Sequence, residues 1–259
     1  MMFRTLLAST LVSSGALALA FTASAAAQDD PHAAFDAFLS DYVTEADGMT
    51  LVRYDAVTGE DAAALKAYIE TLEAIAPSRL SEDEQLAYYF NLYNAAIIDV
   101  VLDNRPIDSI KEVGGGVFNR GPWKDEVVTV EGEALSFDDI EHGIVRARFD
   151  EPRVHYAFNC ASIGCPDIKP SAWRAETLDA DLDAAARAYV AHPRGVRVDE
   201  RGRVTASSIY KWFQEDFGGS EAGVLEHVAA HATGEKKTAL EAASRIRRYD
   251  YDWSLNGTE

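Results

Sequence analysis

Apolar positions recur at three- and four-residue spacings along much of the chain, which predicts amphipathic α-helices. The strongest signal is a capping box that begins at Ser81 and has Glu84 three residues later. Its helix is predicted to run to about Asp103, because the ring of Pro106 cannot continue the hydrogen-bond ladder. Residues 88–98 are apolar on almost every side, so we expect this helix to be central and buried. Further helices are predicted at residues 30–42, 62–76, 137–148, 177–191, 208–217, 221–232 and 236–248.

Alternation of apolar and polar residues predicts short strands between these helices. Two hairpins are expected at residues 127–136 and 196–205, where Gly132 and Gly202 mark the turns. Single strands are predicted at residues 49–54, 154–160 and 249–253. Helices mixed with hairpins, without an internal repeat or a long linker, predict one α+β domain over residues 28–259.

The first 27 residues are typical of a cleavable secretory signal peptide. Arg4 supplies a positive charge, residues 6–20 are largely apolar, and small residues follow up to Ala27. The apolar run is short for a bilayer span, and no stop-transfer signal follows it. We therefore expect an exported protein, periplasmic or secreted, without a membrane span.

The chain is strongly acidic, with 24 Lys and Arg against 43 Asp and Glu and a formal net charge of −19. Nucleic acids and anionic membranes are bound by basic surfaces, so this charge argues against both classes of partner. A small-molecule or peptide substrate of unknown identity remains as the expected partner. The net charge identifies neither the substrate nor the oligomeric state.

Both cysteines lie in one run, residues 153–166, and their state decides the chemistry. In the first hypothesis Cys160 is a nucleophile, which requires a nearby base to lower the pKa of its thiol. His142 is the candidate base. Asn94 or Glu141 would orient the imidazole, as the third member of a catalytic triad does.

The choice of base depends on the predicted strand at residues 154–160. Alternate residues of a strand point to opposite faces, so His155 would face away from Cys160 and His142 becomes the preferred base. The same alternation places Cys160 on an apolar face, where a cysteine is often a small core residue.

A second hypothesis is a disulfide between Cys160 and Cys165 that closes a tight loop. Export, the short spacing and a total of two cysteines favour it, and it leaves no free nucleophile. A redox role is a variant of this hypothesis, although the spacing is not Cys-x-x-Cys. His142 and His155 could join the two sulfurs in a metal site, but the spacing matches no common zinc pattern. We therefore predict neither a metal nor another cofactor.

Four residues are candidates for binding around this site: Asn91, His155, Arg146 and Cys165. Arg146 lies one helical turn after His142 and would disfavour an imidazolium there. Asn91 and Asn94 have a structural alternative as polar struts, because a buried amide needs hydrogen-bond partners.

Several motifs together resemble the family catalogued as domain of unknown function 547, from about Glu82 to the end of the chain. The motifs are NLYNA at 91–95, EHGIVR at 141–146, CASIGCP at 160–166, YKWF at 210–213, DFG at 216–218 and YDWSLN at 251–256. The resemblance implies a papain-like or transglutaminase-like arrangement, with the central helix packed against a small, mainly antiparallel sheet. A cysteine-dependent hydrolase or acyltransferase that acts on amide or ester bonds is then one hypothesis. The other is a non-catalytic binding or interaction domain with a structural disulfide.

Overall fold

A computed structural model describes residues 30–114 and 121–258, so the predicted signal peptide at 1–27 lies outside the described residues. The α-helices are α1 (Ala33–Tyr42), α2 (Gly59–Glu73), α3 (Glu82–Asn104), α4 (Arg146–Arg148), α5 (Leu178–Ala191), α6 (Ile209–Trp212), α7 (Glu221–His231) and α8 (Gly234–Ala242). The strands are β1 (Val43–Ala46), β2 (Met49–Val52), β3 (Val128–Val130), β4 (Glu133–Leu135), β5 (Val196–Val198), β6 (Val204–Ser207) and β7 (Ile246–Asp250). A π-helix, Asp139–Val145, leads into α4.

Helix α3 is the buried centre of the larger hydrophobic core, as its sequence predicts. Its capping box forms: the Ser81 hydroxyl accepts from the Glu84 N–H, and the Glu84 carboxylate accepts from the Ser81 N–H. The helix ends at Asn104, two residues before Pro106. Helix α2 and the short 3₁₀ helices on either side of the core pack against it.

The capping box supplies the first testable prediction. Ser81→Ala is expected to lower the free energy of unfolding by about 1 kcal/mol, because the Glu84 N–H at the start of α3 loses its partner, the Ser81 hydroxyl. Urea denaturation at pH 7 measures the change. The control is Ser244→Ala at an exposed position outside any helix N-cap, where a change within about 0.5 kcal/mol is expected. Equal stabilities of the two variants would contradict the role given to the capping box.

Three small sheets complete the described fold, and the α+β class is confirmed. β1–β2 and β3–β4 are antiparallel pairs, whereas β6 pairs with β5 antiparallel and with β7 parallel. Both predicted hairpins form. In the first, Glu131 and Gly132 both have positive φ, the backbone that a two-residue turn between twisted strands requires. The three-stranded sheet shares a second hydrophobic core with α5, α7 and α8.

The predicted strand at residues 154–160 is wrong. Residues Pro152–Tyr156 form a 3₁₀ helix, and Ala157 continues as a turn. Pro152 stands in the first turn, where its fixed φ suits a helix, and the Glu151 carboxylate accepts from the Arg153 N–H to cap it. The face argument that separated His155 from Cys160 therefore does not apply.

Other predicted elements differ in extent. The helix expected at 236–248 ends at Ala242, and Ile246–Asp250 form the strand β7. The helix expected at 208–217 is only Ile209–Trp212, followed by turns that bring Phe217 to within 5.0 Å of Tyr210, ring centre to ring centre. The last strand ends at Asp250, so the remaining C-terminal residues are free to follow an irregular path along the site. No helix among the described residues is both long enough and apolar enough to cross a bilayer.

Candidate functional site

A cavity of about 200 Å³ lies where α3, the π-helix, the loop around Cys160, α6 and the C-terminal segment meet. Aromatic side chains form much of its wall: Tyr93, Phe158, Trp212, Phe213, Tyr251 and Trp253. Its polar lining comes from two carboxylates and two imidazoles: Asp138, Glu141, His142 and His155. Both cysteines also line it. The structure thus brings together five of the eight site residues that the sequence nominated.

The two cysteines are joined in a disulfide, which is the second of the two hypotheses drawn from the sequence. Cys165 is buried and Cys160 half-buried. The backbone N–H of Cys160 donates to the Cys165 sulfur over 2.9 Å. The hydroxyl of Tyr251 lies 2.9 Å from the Cys160 sulfur and 3.1 Å from the Cys165 sulfur. Cys160 therefore carries no free thiol in this structure.

Buried amides hold the disulfide loop in place. The Asn94 amide donates to the Ala157 carbonyl over 2.8 Å, and its oxygen accepts from the Asn159 N–H over 2.9 Å. Asn159 continues into the loop: its amide donates to the Pro166 carbonyl, and its oxygen accepts from the Ala161 N–H. Asn94 consequently acts on the loop through the backbone.

The remaining members of this network anchor the chain at two other places. Asn256 donates to the Asn159 side-chain oxygen over 3.0 Å and accepts from the Tyr54 hydroxyl over 2.9 Å. Asn91 makes two hydrogen bonds with the backbone of Trp173, at 2.8 and 2.9 Å, and its amide nitrogen also lies 3.5 Å from His32 Nδ1. Asn91 and Asn94 thus hold neighbouring segments in place, as the structural alternative for these two residues expected, and neither lines the cavity.

His155 is the most strongly held polar group of the cavity. It is 3% exposed, and its ring stacks on Phe213 with 4.2 Å between ring centres. Its Nε2 lies 2.6 Å from Asp216 and its Nδ1 lies 3.4 Å from Glu141. Burial lowers the pKa of His155, but the two carboxylates raise it by more, so the pKa lies above its ordinary value.

Asp216 joins His155 to Arg146. The guanidinium donates to both carboxylate oxygens, over 2.5 and 3.0 Å, and lies 4.8 Å from the Phe213 ring centre. The hydrogen bond with His155 lowers the pKa of Asp216 far below its ordinary value; burial opposes this shift, and Arg146 adds to it. Arg146 therefore fixes the carboxylate that holds His155.

His142 lies closer to the opening, on the π-helix. Its Nε2 is 3.8 Å from Asp138 and its Nδ1 is 3.4 Å from the Arg146 guanidinium. The expected proximity of Arg146 to this imidazole is thus observed. Glu141 contacts His155 instead of His142, so the structure does not show the orienting contact with His142 that the sequence suggested; adjacent residues of a helix do not face each other.

Polar residues of the site that went unassigned in the sequence include Asp138, Asp216, Tyr251 and Asn159. Asp216 and Tyr251 belong to motifs that carry the family resemblance, which was the one available signal for them. Asn159 stands directly before Cys160 without a pattern that marks it. Among residues 30–114 and 121–258, no group of three or more His, Cys, Asp or Glu side chains is placed to hold a metal ion.

Comparison with known proteins gives a match to one family model. The comparison with curated proteins found no match, and the comparison with solved structures found none either. The papain-like or transglutaminase-like arrangement therefore stays a hypothesis. Residues 77–190, which include α3, the π-helix and the disulfide loop, match the family model described as "Protein of unknown function, DUF547". By this match the chain contains a DUF547 domain over residues 77–190, which agrees with the motifs found in its sequence.

Proposed function

We propose that the cavity binds a small organic molecule or a peptide side chain, and that the bridged protein binds this group without hydrolysing it. The observation that carries the proposal is the bond between Cys160 and Cys165. Acyl transfer by cysteine needs a thiolate, and a bridged cysteine supplies none. What remains is an aromatic cavity with a few fixed polar groups, which is the usual composition of a ligand site.

The charges around the cavity favour a cationic ligand. Asp216 is already matched by Arg146, and Glu141 contacts His155. Asp138 contacts His142 over 3.8 Å and also interacts electrostatically with Lys124, but burial has the largest effect and raises its pKa, because its charged form is partly removed from water. A bound ammonium or guanidinium would restore the charge balance of Asp138.

The aromatic wall supports the same class of ligand. Trp212 is 48% exposed, and its ring lies 4.8 Å from Tyr251 and 5.6 Å from Trp253, centre to centre. Faces of such rings attract cations, most strongly when water is excluded. The volume of about 200 Å³ is below the roughly 300–1,000 Å³ of drug-sized sites, so one amino-acid side chain or a molecule of that size fits the proposal.

Binding of capped amino acids tests the proposal. Acetyl-arginine amide and acetyl-lysine amide are expected to change the tryptophan fluorescence saturably, whereas acetyl-glutamate amide is not, because its carboxylate would face Asp138. Asp138→Asn is expected to weaken binding of the arginine probe about tenfold, or about 1.4 kcal/mol, since the bound cation loses its interaction with the Asp138 carboxylate.

Asp103→Asn is the matched control, because Asp103 is an exposed carboxylate on α3 that contacts Lys66. The Kd of Asp103→Asn for the arginine probe should equal the Kd of the unchanged protein. Equal affinity for the glutamate and arginine probes, or an unchanged Kd in Asp138→Asn, would overturn the cationic preference.

A second candidate is hydrolysis of amides or esters after the disulfide is reduced. It is favoured by one observation: Cys160 shares the cavity with both His142 and His155. Reduced protein would then cleave a p-nitrophenyl ester, and Cys160→Ser would abolish the cleavage while Cys165→Ser would retain it. Ester cleavage that is equal in all three proteins would exclude a cysteine-dependent hydrolase.

A further inference from the structure

The two sulfurs of the disulfide differ in access. Cys165 is 2% exposed, whereas Cys160 is half-buried, and both belong to the cavity lining. An incoming thiolate must reach the sulfur that it attacks. Cys160 is therefore the sulfur open to attack from the cavity, and Cys165 is the leaving group.

The surroundings of Cys165 suit a leaving thiolate. The Cys160 N–H already donates to its sulfur, and the Tyr251 hydroxyl lies 3.1 Å away. The Ser162 hydroxyl lies 3.9 Å away. Both hydroxyls also reach the Cys160 sulfur, at 2.9 and 3.2 Å, so the assignment of Cys165 as the leaving group rests on access and on the N–H donor. Burial raises the pKa of Tyr251, so its hydroxyl keeps the proton that it would donate. Disulfide exchange is faster when the leaving sulfur is stabilised as a thiolate.

We propose that the Cys160–Cys165 disulfide is exchangeable and oxidises a small cationic thiol bound in the cavity, with Cys160 attacked and Cys165 leaving. The preference for a cation depends on the proposed function, but the exchange itself does not. The disulfide is then the reactive part of the ligand site as well as one of its walls.

The reaction balances without a further reactant. The substrate thiolate forms a bond to the Cys160 sulfur, the bond between the two cysteines breaks, and its electron pair goes to Cys165. A second substrate thiolate then attacks the substrate sulfur of the mixed disulfide and releases Cys160 as a thiolate. Two substrate thiols become one disulfide, and their two electrons and two protons pass to the cysteines.

Three thiols that differ in charge test this proposal on the oxidised full-length protein. Cysteamine is cationic, 2-mercaptoethanol is neutral and mercaptoacetate is anionic. Each thiol is also reacted with the disulfide of 2-mercaptoethanol as a reference. Dividing the rate constant for the protein by the rate constant for this reference corrects for the different intrinsic reactivities of the three thiols. Acid quenching, alkylation and peptide mass analysis locate the adduct. We expect the adduct on Cys160, alkylation on Cys165, and a relative rate at least about tenfold higher for cysteamine than for mercaptoacetate.

Tyr251→Phe tests the leaving-group contact. It keeps the ring that packs on Trp253 and removes only the hydroxyl, so the variant is expected to fold and to exchange about tenfold more slowly. Tyr249→Phe, on β7, is the matched control and should exchange at the original rate.

An adduct on Cys165, or equal rates for Tyr251→Phe and Tyr249→Phe, would overturn the assigned roles. Reduction no faster than that of the reference disulfide with all three thiols would overturn the exchange itself, even if the arginine probe binds. Fast exchange at Cys160 with equal relative rates for the three thiols would uphold the exchange and overturn the cationic preference.

Discussion

Replacing Asn159 by alanine is expected to lower the free energy of unfolding by about 3–5 kcal/mol. The side chain is 3% exposed and satisfies three buried groups: the Pro166 carbonyl, the Ala161 N–H and the Asn256 amide. Each buried polar group left without a partner costs about 1–3 kcal/mol, and local relaxation recovers part of the sum. Urea denaturation of the oxidised protein at pH 7 measures the loss.

A local measurement separates this effect from general damage. The amide of Ala161 donates to Asn159, so its hydrogen exchange should accelerate more in Asn159→Ala than that of amides in α7. Asn104→Ala is the matched control, because Asn104 lies at the exposed end of α3 and donates to the Val100 carbonyl one turn before it. A change within about 0.5 kcal/mol is expected there. A loss below about 1 kcal/mol in Asn159→Ala would show that the loop does not depend on this amide.

Asp216→Asn is expected to lower the free energy of unfolding by about 2–3 kcal/mol near pH 6. Removal of one member of a buried ion pair costs about 3–5 kcal/mol, and the quarter of the Asp216 side chain that stays exposed reduces this. The variant leaves Arg146 and His155 without their shared carboxylate. Asp103→Asn, whose side chain is 58% exposed, should change stability by less than about 0.5 kcal/mol.

The cost of Asp216→Asn depends on pH in two opposite ways. The pKa of Asp216 is lower in the folded protein than in the unfolded chain. Asp216 therefore contributes fully to stability above the unfolded pKa of about 3.9, and this contribution is lost as the pH falls through the folded pKa. The pKa of His155 is higher in the folded protein than in the unfolded chain. His155 therefore contributes fully to stability below the unfolded pKa of about 6.5, and this contribution is lost as the pH rises through the folded pKa. The stability difference between the two proteins should therefore be largest between these values and smaller at pH 9.

Denaturation of both proteins across this range, together with NMR titration of His155, checks the argument. In Asp216→Asn the pKa of His155 should fall, because the nearer of its two carboxylates has become a neutral amide. A stability difference that is constant from pH 4 to pH 9 would contradict the proposed coupling of the two groups.

Local signals predicted the elements whose causes are local. The start of α3 follows from Ser81 and Glu84, and its end follows from Pro106. The first hairpin follows from the turn at Gly132. Residues 154–160 show where this reasoning fails, because their alternation fits a strand while Pro152 and the cap of Glu151 favour a 3₁₀ helix. The periodicity of so short a segment does not decide between the two.

The candidate site was predicted in part for the same reason. Glu141, His142, Cys160 and Cys165 stand in two short runs of the sequence, and all four line the cavity. The choice of His142 over His155 rested on the wrong strand. The structure gives His155 the shorter contact with a carboxylate, 2.6 Å against 3.8 Å for His142.

Local patterns in the sequence were enough to predict the α+β class, the buried central helix, the hairpin turns and the family resemblance, because periodicity, caps, turn residues and short motifs are properties of neighbouring residues. Three-dimensional packing was needed to establish that Asp216 contacts His155 across 61 positions, that Tyr251 reaches both sulfurs, and that the two cysteines are bonded to each other. Such contacts depend on how distant segments pack around a shared core, and no spacing along the chain specifies that packing.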